Sequence, residues 1–137
     1  MSVYLDTSVL VSLFHTDEHT QRTSAWIADV EDFVLSSWAL AEFSSALAVK
    51  VRMRHLPDEE RRGFERVLDQ WLRGRVILSV VDGDMVASRG MLRADTRLRA
   101  PDALHLAIAS RHDCILATLD ADMAAVGRDI GLDVVVP

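Results

Sequence analysis

Cysteine is almost missing from this chain: its 137 residues hold one, Cys114. A single cysteine excludes an internal disulfide and fits a reducing, cytoplasmic location. It lies in the strand-like run Cys114-Ile115-Leu116-Ala117 and reads as a buried structural thiol. No apolar run approaches the ~20 residues that a membrane span requires. The N-terminus has no basic region ahead of an apolar one, so neither export nor insertion is expected. Histidine is too scattered for a zinc site, since His15 and His19 stand four apart without a third ligand. The one lysine is Lys50. A net charge of −6 argues at first against a nucleic-acid partner. The distribution is uneven, however. Residues 50–99 carry twelve Lys or Arg against eight Asp or Glu, whereas the rest of the chain carries three against thirteen. A basic surface beside an acidic site is therefore allowed.

What is present is a single domain's worth of alternating strand and helix signals over 1–137. Val3-Tyr4-Leu5 reads as a strand ending at Asp6, with a helix from Thr7 to Phe14 behind it. A second helix is expected over about Asp17 to Asp29, then a strand at Phe33-Val34-Leu35. Ser36 or Ser37 caps a long helix from Trp38 to about Met53. Pro57 and the acids behind it start a helix that stops near Gly74, and Arg75 to Val81 reads as the third strand. Helices follow from Asp82 to about Leu98 and from Asp102 to His112, then a strand at Cys114 to Ala117. Asp120 to Gly127 is a short helix and Asp133 to Val136 the last strand. Continuous apolar strands separated by helices predict an α/β domain with a mainly parallel sheet and helices on both faces.

In such a sheet the ligand crevice lies at the carboxyl ends of the strands. Asp6 ends the first strand and Asp120 follows the fourth, so topology alone draws them to one edge. Glu42 is the only charged residue between Asp32 and Lys50. On a helical wheel it shares a stripe with Trp38, Ala41, Ser45, Ala46 and Val49, which predicts an inward face. A carboxylate there costs several kcal/mol unless paired, for example with a buried arginine, or protonated or bound to a metal. Asp102 stands in the first turn of an apolar helix, where the dipole favours an anion. Each acid has a plain reading as a cap or an ion pair, but capping does not account for four together. Oxygen-only ligands point to Mg²⁺ or Mn²⁺ rather than zinc.

Tyr4-Leu5-Asp6-Thr7-Ser8, Glu42 in the long helix, Arg99-Ala100-Pro101-Asp102-Ala103-Leu104-His105-Leu106-Ala107 and Thr118-Leu119-Asp120-Ala121-Asp122-Met123 resemble, in that order, the motifs of PIN-domain nucleases. The resemblance is to VapC-type toxins of toxin–antitoxin pairs and covers nearly the whole chain. It implies a three-layer α/β/α fold around a five-stranded parallel sheet, a homodimer, inhibition by a cognate antitoxin, and Mg²⁺-dependent endoribonuclease activity through metal-activated water. Mn²⁺ is expected to substitute. By the resemblance Asp6 and Asp102 hold the ion, and Glu42 and Asp120 reach it directly or through waters. The family commonly has Asn at Leu119 and an aromatic at Met123; the nearer acid is therefore Asp120 or Asp122, with Asp120 favoured. Thr7, Ser8 and Thr118 are candidate donors to phosphate or water. Arg99, with Arg89 and Arg93 on a stripe continuing to Arg97, and Lys50 at the end of the Glu42 helix, are candidate RNA contacts.

His105, one turn after Asp102, reads as a hydrogen-bonded core histidine. Trp38, Trp71 and Trp26 read as core, with apolar excess on the third and fourth helices offering a partner surface. One rival is another Mg²⁺-dependent phosphoryl-transfer domain using Asp6 as nucleophile. It lacks the second Asp, since Ser8 stands there, and a lysine near the strand ends. The other rival is a PIN-fold module that binds RNA or a partner without cutting.

Overall fold

A computed structural model describes all residues, 1–137, and contains five strands separated by one or two helices each, seven helices in all. They are β1 (Val3–Leu5), α1 (Thr7–Phe14), α2 (Thr20–Ala28), β2 (Phe33–Ser36), α3 (Ser37–Arg52), α4 (Asp58–Trp71), β3 (Ile77–Leu78), α5 (Asp82–Ala94), α6 (Ala100–Arg111), β4 (Ile115–Ala117), α7 (Ala121–Asp129) and β5 (Val134–Val135). The sheet order is β3-β2-β1-β4-β5, and every pairing is parallel. The sheet is thus entirely, not just mainly, parallel, with β1 at its centre. Tyr4 is flanked by Val34 and Leu116, and Leu5 pairs with Ala117.

Alternation along these strands builds two cores. Tyr4, Val34 and Leu116 face one side, where Leu104, Ile108 and Val126 of α6 and α7 cover them. Leu5, Leu35 and Ala117 face the other, against Val9 and Leu10 of α1, Phe43 and Leu47 of α3, and Leu68 of α4. Burying each such Leu or Phe is worth ~1.5–3 kcal/mol. Aromatic contacts fasten the second layer: Phe14 meets Phe43 and Trp71 edge-on, and Trp71 stacks on Phe33. No helix is long and apolar enough to cross a membrane.

Several expected boundaries move. Asp17 belongs to a turn, accepting from the His19 backbone and from Thr20 Oγ1, so α2 begins later. The third and fifth strands shrink to two residues because each is an edge with one partner. The fifth helix ends at Ala94, which leaves Arg97 outside it. The largest correction concerns α3. Its buried row is Ala39, Phe43 and Leu47, while Ala41, Ser45 and Val49 are exposed. The two large side chains claim the core, and the stripe of small residues around Glu42 is left at the boundary. Glu42 is half-buried on that boundary rather than sunk in an inward face.

Candidate active site

β1 ends where the chain must turn into α1, and Asp6 makes that turn. Its Oδ1 accepts from the Val9 N–H at 3.0 Å, capping α1, and from Ser8 Oγ at 2.6 Å. Its Oδ2 accepts from Thr118 Oγ1, across the β1–β4 edge. Asp6 is 1% exposed and joins no ion pair with an arginine or the lysine. Burial pushes its carboxyl above the usual range, more than the nearby His105, the two hydroxyls and the Val9 N–H bring it down. A buried carboxyl in no ion pair is a position where a bound cation would favour the ionised form.

Asp6, Glu42, Asp102 and Asp120 line one cavity of about 130 Å³ at the carboxyl edge of the sheet, with Thr7, Ser8, Arg99, His105 and Met123. Three of the acids are held there by one oxygen. Glu42 Oε1 accepts from Thr7 Oγ1 at 2.8 Å and from His105 Nε2 at 2.5 Å. Asp102 Oδ2 accepts from the Arg99 backbone and guanidinium at 3.3 and 3.4 Å. Asp120 Oδ1 caps α7 by accepting from the Met123 N–H at 2.8 Å. The second oxygen of each has no protein partner. Burial pushes Glu42 upward, but its hydrogen bonds with His105 and Thr7 outweigh that and keep it below the ordinary carboxylate range.

No three of these groups converge closely enough to form a ready-made coordination shell. The donor chemistry nonetheless fits a hard divalent ion: oxygen ligands only, three with a free lone-pair face, and a buried carboxyl in no ion pair beside them. A shallower hollow of about 390 Å³ shares Thr7, Ser8 and Asp120 with the acid cavity and continues past Asp17 and His19.

The remaining candidates separate. Thr118 is fully buried and serves Asp6 instead of facing the cavity. Asp122 is exposed on the first turn of α7 and does not line the cavity. Arg99 does line it and is well exposed, held to Asp102 by a long contact. Arg89 instead lines an apolar groove on α5, and Arg93 and Lys50 lie outside the cavity lining. Arg97 forms ion pairs with Asp95 and Asp129, so it is no continuation of a free basic stripe. Glu42 is paired with a histidine, not with an arginine.

A family model described as the PIN domain matches residues 3–129. The chain belongs to the PIN domain family. Solved structures with this PIN fold include FitAcB from Neisseria gonorrhoeae, 22% identical with a TM-score of 0.76 over 98% of this chain and 97% of that one. Another is VapC20 of Mycobacterium tuberculosis, described as a sarcin-ricin loop cleaving toxin, 20% identical at TM-score 0.71 over 92% and 95%. A third is VapBC2 of Rickettsia felis bound to a promoter DNA fragment, 16% identical at 0.68 over 98% of each chain. Among curated proteins none matches significantly in sequence. At these identities the likeness concerns the fold, while the acid cavity of this PIN domain stands on its own residues.

Tyr4, Ser36 and His105 form the part of the site that sequence reasoning did not assemble. Tyr4 Oη lies 2.7 Å from both Ser36 Oγ and His105 Nδ1, and all three residues are buried. The one available signal was a tyrosine two residues before Asp6 and a histidine three after Asp102, both on otherwise apolar elements.

Proposed function

We propose that this PIN domain is a Mg²⁺-dependent endoribonuclease, the toxin of a VapC-type toxin–antitoxin pair. The observation that carries the reading is the cavity itself: one buried carboxyl in no ion pair and three acids that each keep an oxygen free. A divalent ion bound there lowers the pKa of water and neutralises charge on the scissile phosphate. Asp6 and Asp102 are assigned as its direct ligands, and Glu42 and Asp120 as direct or water-mediated ones.

The protein's own residues supply the rest. Thr118, Ser8 and the Val9 N–H hold Asp6 in one orientation. Thr7 keeps Glu42 at the cavity wall. Ser8 also ties the two strand ends together by accepting from the Leu119 N–H at 2.9 Å. Arg99 lines the cavity, and its guanidinium is assigned to meet a phosphate there. Arg89, Arg93 and Lys50 would act at a distance by steering RNA.

Purified protein freed of other proteins should cut RNA with Mg²⁺ or Mn²⁺ and stop with EDTA. Asp6→Asn and Asp102→Asn should abolish cutting with the fold retained. If they cut at the wild-type rate, the acid assignment is wrong. A binding module that does not cut would retain RNA in a filter assay and release no 5′ ends under any metal.

Two partners follow from the same reading. An antitoxin is supported by the company the fold keeps, since similar structures are described as toxin–antitoxin complexes. A second copy of this chain is supported by an apolar groove of about 660 Å³ lined by Trp38, Val80, Met85, Leu92, Pro101 and Leu104. The exposed Val81, Met85 and Val86 stand beside it in sequence, and the Trp38 Nε1 is buried with no hydrogen-bond partner. Exposed apolar side chains thus stand on α5, at Met85 and Val86, as well as at Val49 of α3 and Val67 of α4. Light scattering on Met85→Asp/Val86→Asp should report a monomer where the parent is a dimer.

A further inference from the structure

The buried row Ser36–Tyr4–His105–Glu42 joins four elements: the end of β2, β1, α6 and α3. Its protons can be assigned by counting. His105 Nε2 and Glu42 Oε1 are 2.5 Å apart, and an ionised carboxylate has no proton to give, so Nε2 carries the hydrogen. Tyr4 Oη sits 2.7 Å from His105 Nδ1, and with a neutral imidazole that nitrogen must accept. The phenol proton therefore goes to His105. The Tyr4 oxygen is then left to accept from Ser36 Oγ–H at 2.7 Å. Ser36 Oγ in turn accepts from the Ala39 N–H at 3.0 Å, the cap of α3. Each proton of the row then has an acceptor, and Glu42 Oε1 also takes the hydroxyl proton of Thr7, whose Oγ1 lies 3.0 Å from His105 Nε2. A doubly protonated ring would reverse the first two bonds and leave the buried Ser36 hydroxyl proton without an acceptor, which costs about 1–3 kcal/mol.

We propose that Tyr4 and His105 are positioning residues for Glu42, with Tyr4 setting the ring tautomer that lets His105 hold one carboxylate oxygen and leave the other free. This rests on the nuclease reading. The row runs in one direction, from the cap of the helix that carries Glu42, through the central strand and α6, back to Glu42 six residues further along the same helix. It fixes α3 against β1 and α6 at the acid cavity. Groups that orient a metal's ligands in this way matter by ~10–100-fold in affinity or activity.

The variants that test it are His105→Leu, His105→Gln and Tyr4→Phe, with the double variant Tyr4→Phe/His105→Leu. The first removes the donor at similar volume, the second places an amide N–H near Nε2, and the third keeps the ring and deletes the hydroxyl. Mn²⁺ binding is followed by titration calorimetry or electron paramagnetic resonance, and RNA cutting by kcat and KM. For His105→Leu the expected result is a ~10–100-fold loss in Mn²⁺ affinity or kcat at unchanged KM. His105→Gln should recover most of that loss. Tyr4→Phe should lose less than His105→Leu, and should add nothing in the double variant because its effect passes through the ring.

Nitrogen NMR of the imidazole should show the Nε2–H form in the parent and a mixture in Tyr4→Phe. The proposal is overturned if His105→Leu binds Mn²⁺ and cuts as the parent does. It is equally overturned if the double variant's losses add, or if the parent ring is protonated at Nδ1. A parent that neither binds Mn²⁺ nor cuts would instead sink the nuclease reading, and the role given to Glu42 with it.

Discussion

Truncating Arg111 should cost more than truncating the aspartate it holds. Arg111 reaches from the end of α6 to Asp84 in the first turn of α5, donating through Nε at 2.7 Å and Nη2 at 3.0 Å, and gives a further bond to the Ser79 carbonyl at 2.8 Å. Asp84 is 1% exposed, whereas the Arg111 side chain is 34% exposed. Removing the arginine strands a buried carboxylate with only the Val81 N–H at 3.0 Å. That calls for a loss of roughly 3–5 kcal/mol in Arg111→Leu. Removing the charge instead, in Asp84→Asn, frees an arginine that water can reach, and should cost about 1–3 kcal/mol.

The pH dependence follows with a definite sign. Burial pushes the Asp84 carboxyl up, but Arg111 and the Val81 N–H outweigh it and hold it below the ordinary range. The folded value is thus lower than the unfolded one, about 3.9. The pair's contribution is complete above that unfolded value and is lost as pH falls through the folded one. Urea unfolding of parent, both single variants and the double, at pH 7 and at pH 3, reads all of this. The gap between parent and Arg111→Leu should narrow at pH 3. If Arg111→Leu costs under about 1 kcal/mol at pH 7, or no more than Asp84→Asn, the pair behaves as a solvated surface bridge and the reasoning fails.

Other expectations are simpler to check. Saturating Mg²⁺ at a hundred times its dissociation constant should add about 2.7 kcal/mol, a rise in Tm on the order of 9 °C by differential scanning fluorimetry, and Asp102→Asn should lose most of it. Arg99→Gln should leave stability within about 1 kcal/mol of the parent while lowering the salt slope of RNA binding by roughly one, and Arg97→Ala, whose guanidinium is engaged by Asp95 and Asp129, should leave that slope alone. Gly127→Val should cost ~1–3 kcal/mol in the same unfolding assay, since a Cβ there would lie 3.1 Å from Val134 Cγ2 and 3.3 Å from Leu116 Cδ2.

Much of the frame was legible because it depends on local pattern. Strand and helix order follow from apolar runs and caps, and once the sheet is parallel the carboxyl ends of β1 and β4 must adjoin. Asp6 and Asp120 meet for that reason alone. What stayed hidden depends on which side chain wins a shared space. The wheel placed Glu42 inward with Ala41, Ser45 and Val49, yet Phe43 and Leu47 outcompete small residues for core volume and rotate that stripe outward. Arg97 looked like part of a basic face until the helix stopped at Ala94 and Asp129 came within 2.7 Å from 32 positions away. The link from Tyr4 to His105 spans 101 positions. No periodicity registers such a contact; only the register Tyr4↔Leu116 and the packing of α6 on β1 and β4 create it.

The place of β1 in the sheet has a consequence for a chain still being made. It precedes the other four strands of the sheet and is the central one in space, and one edge of it pairs with β4, more than a hundred residues later. Asp6 therefore waits for Thr118 and Asp120 before its surroundings exist. A ribosome-bound chain carries the early acids yet has no cavity until β4 and the turn through Asp120 have emerged. If the cavity cuts RNA, the machinery that builds this protein is spared its chemistry until the last strands dock.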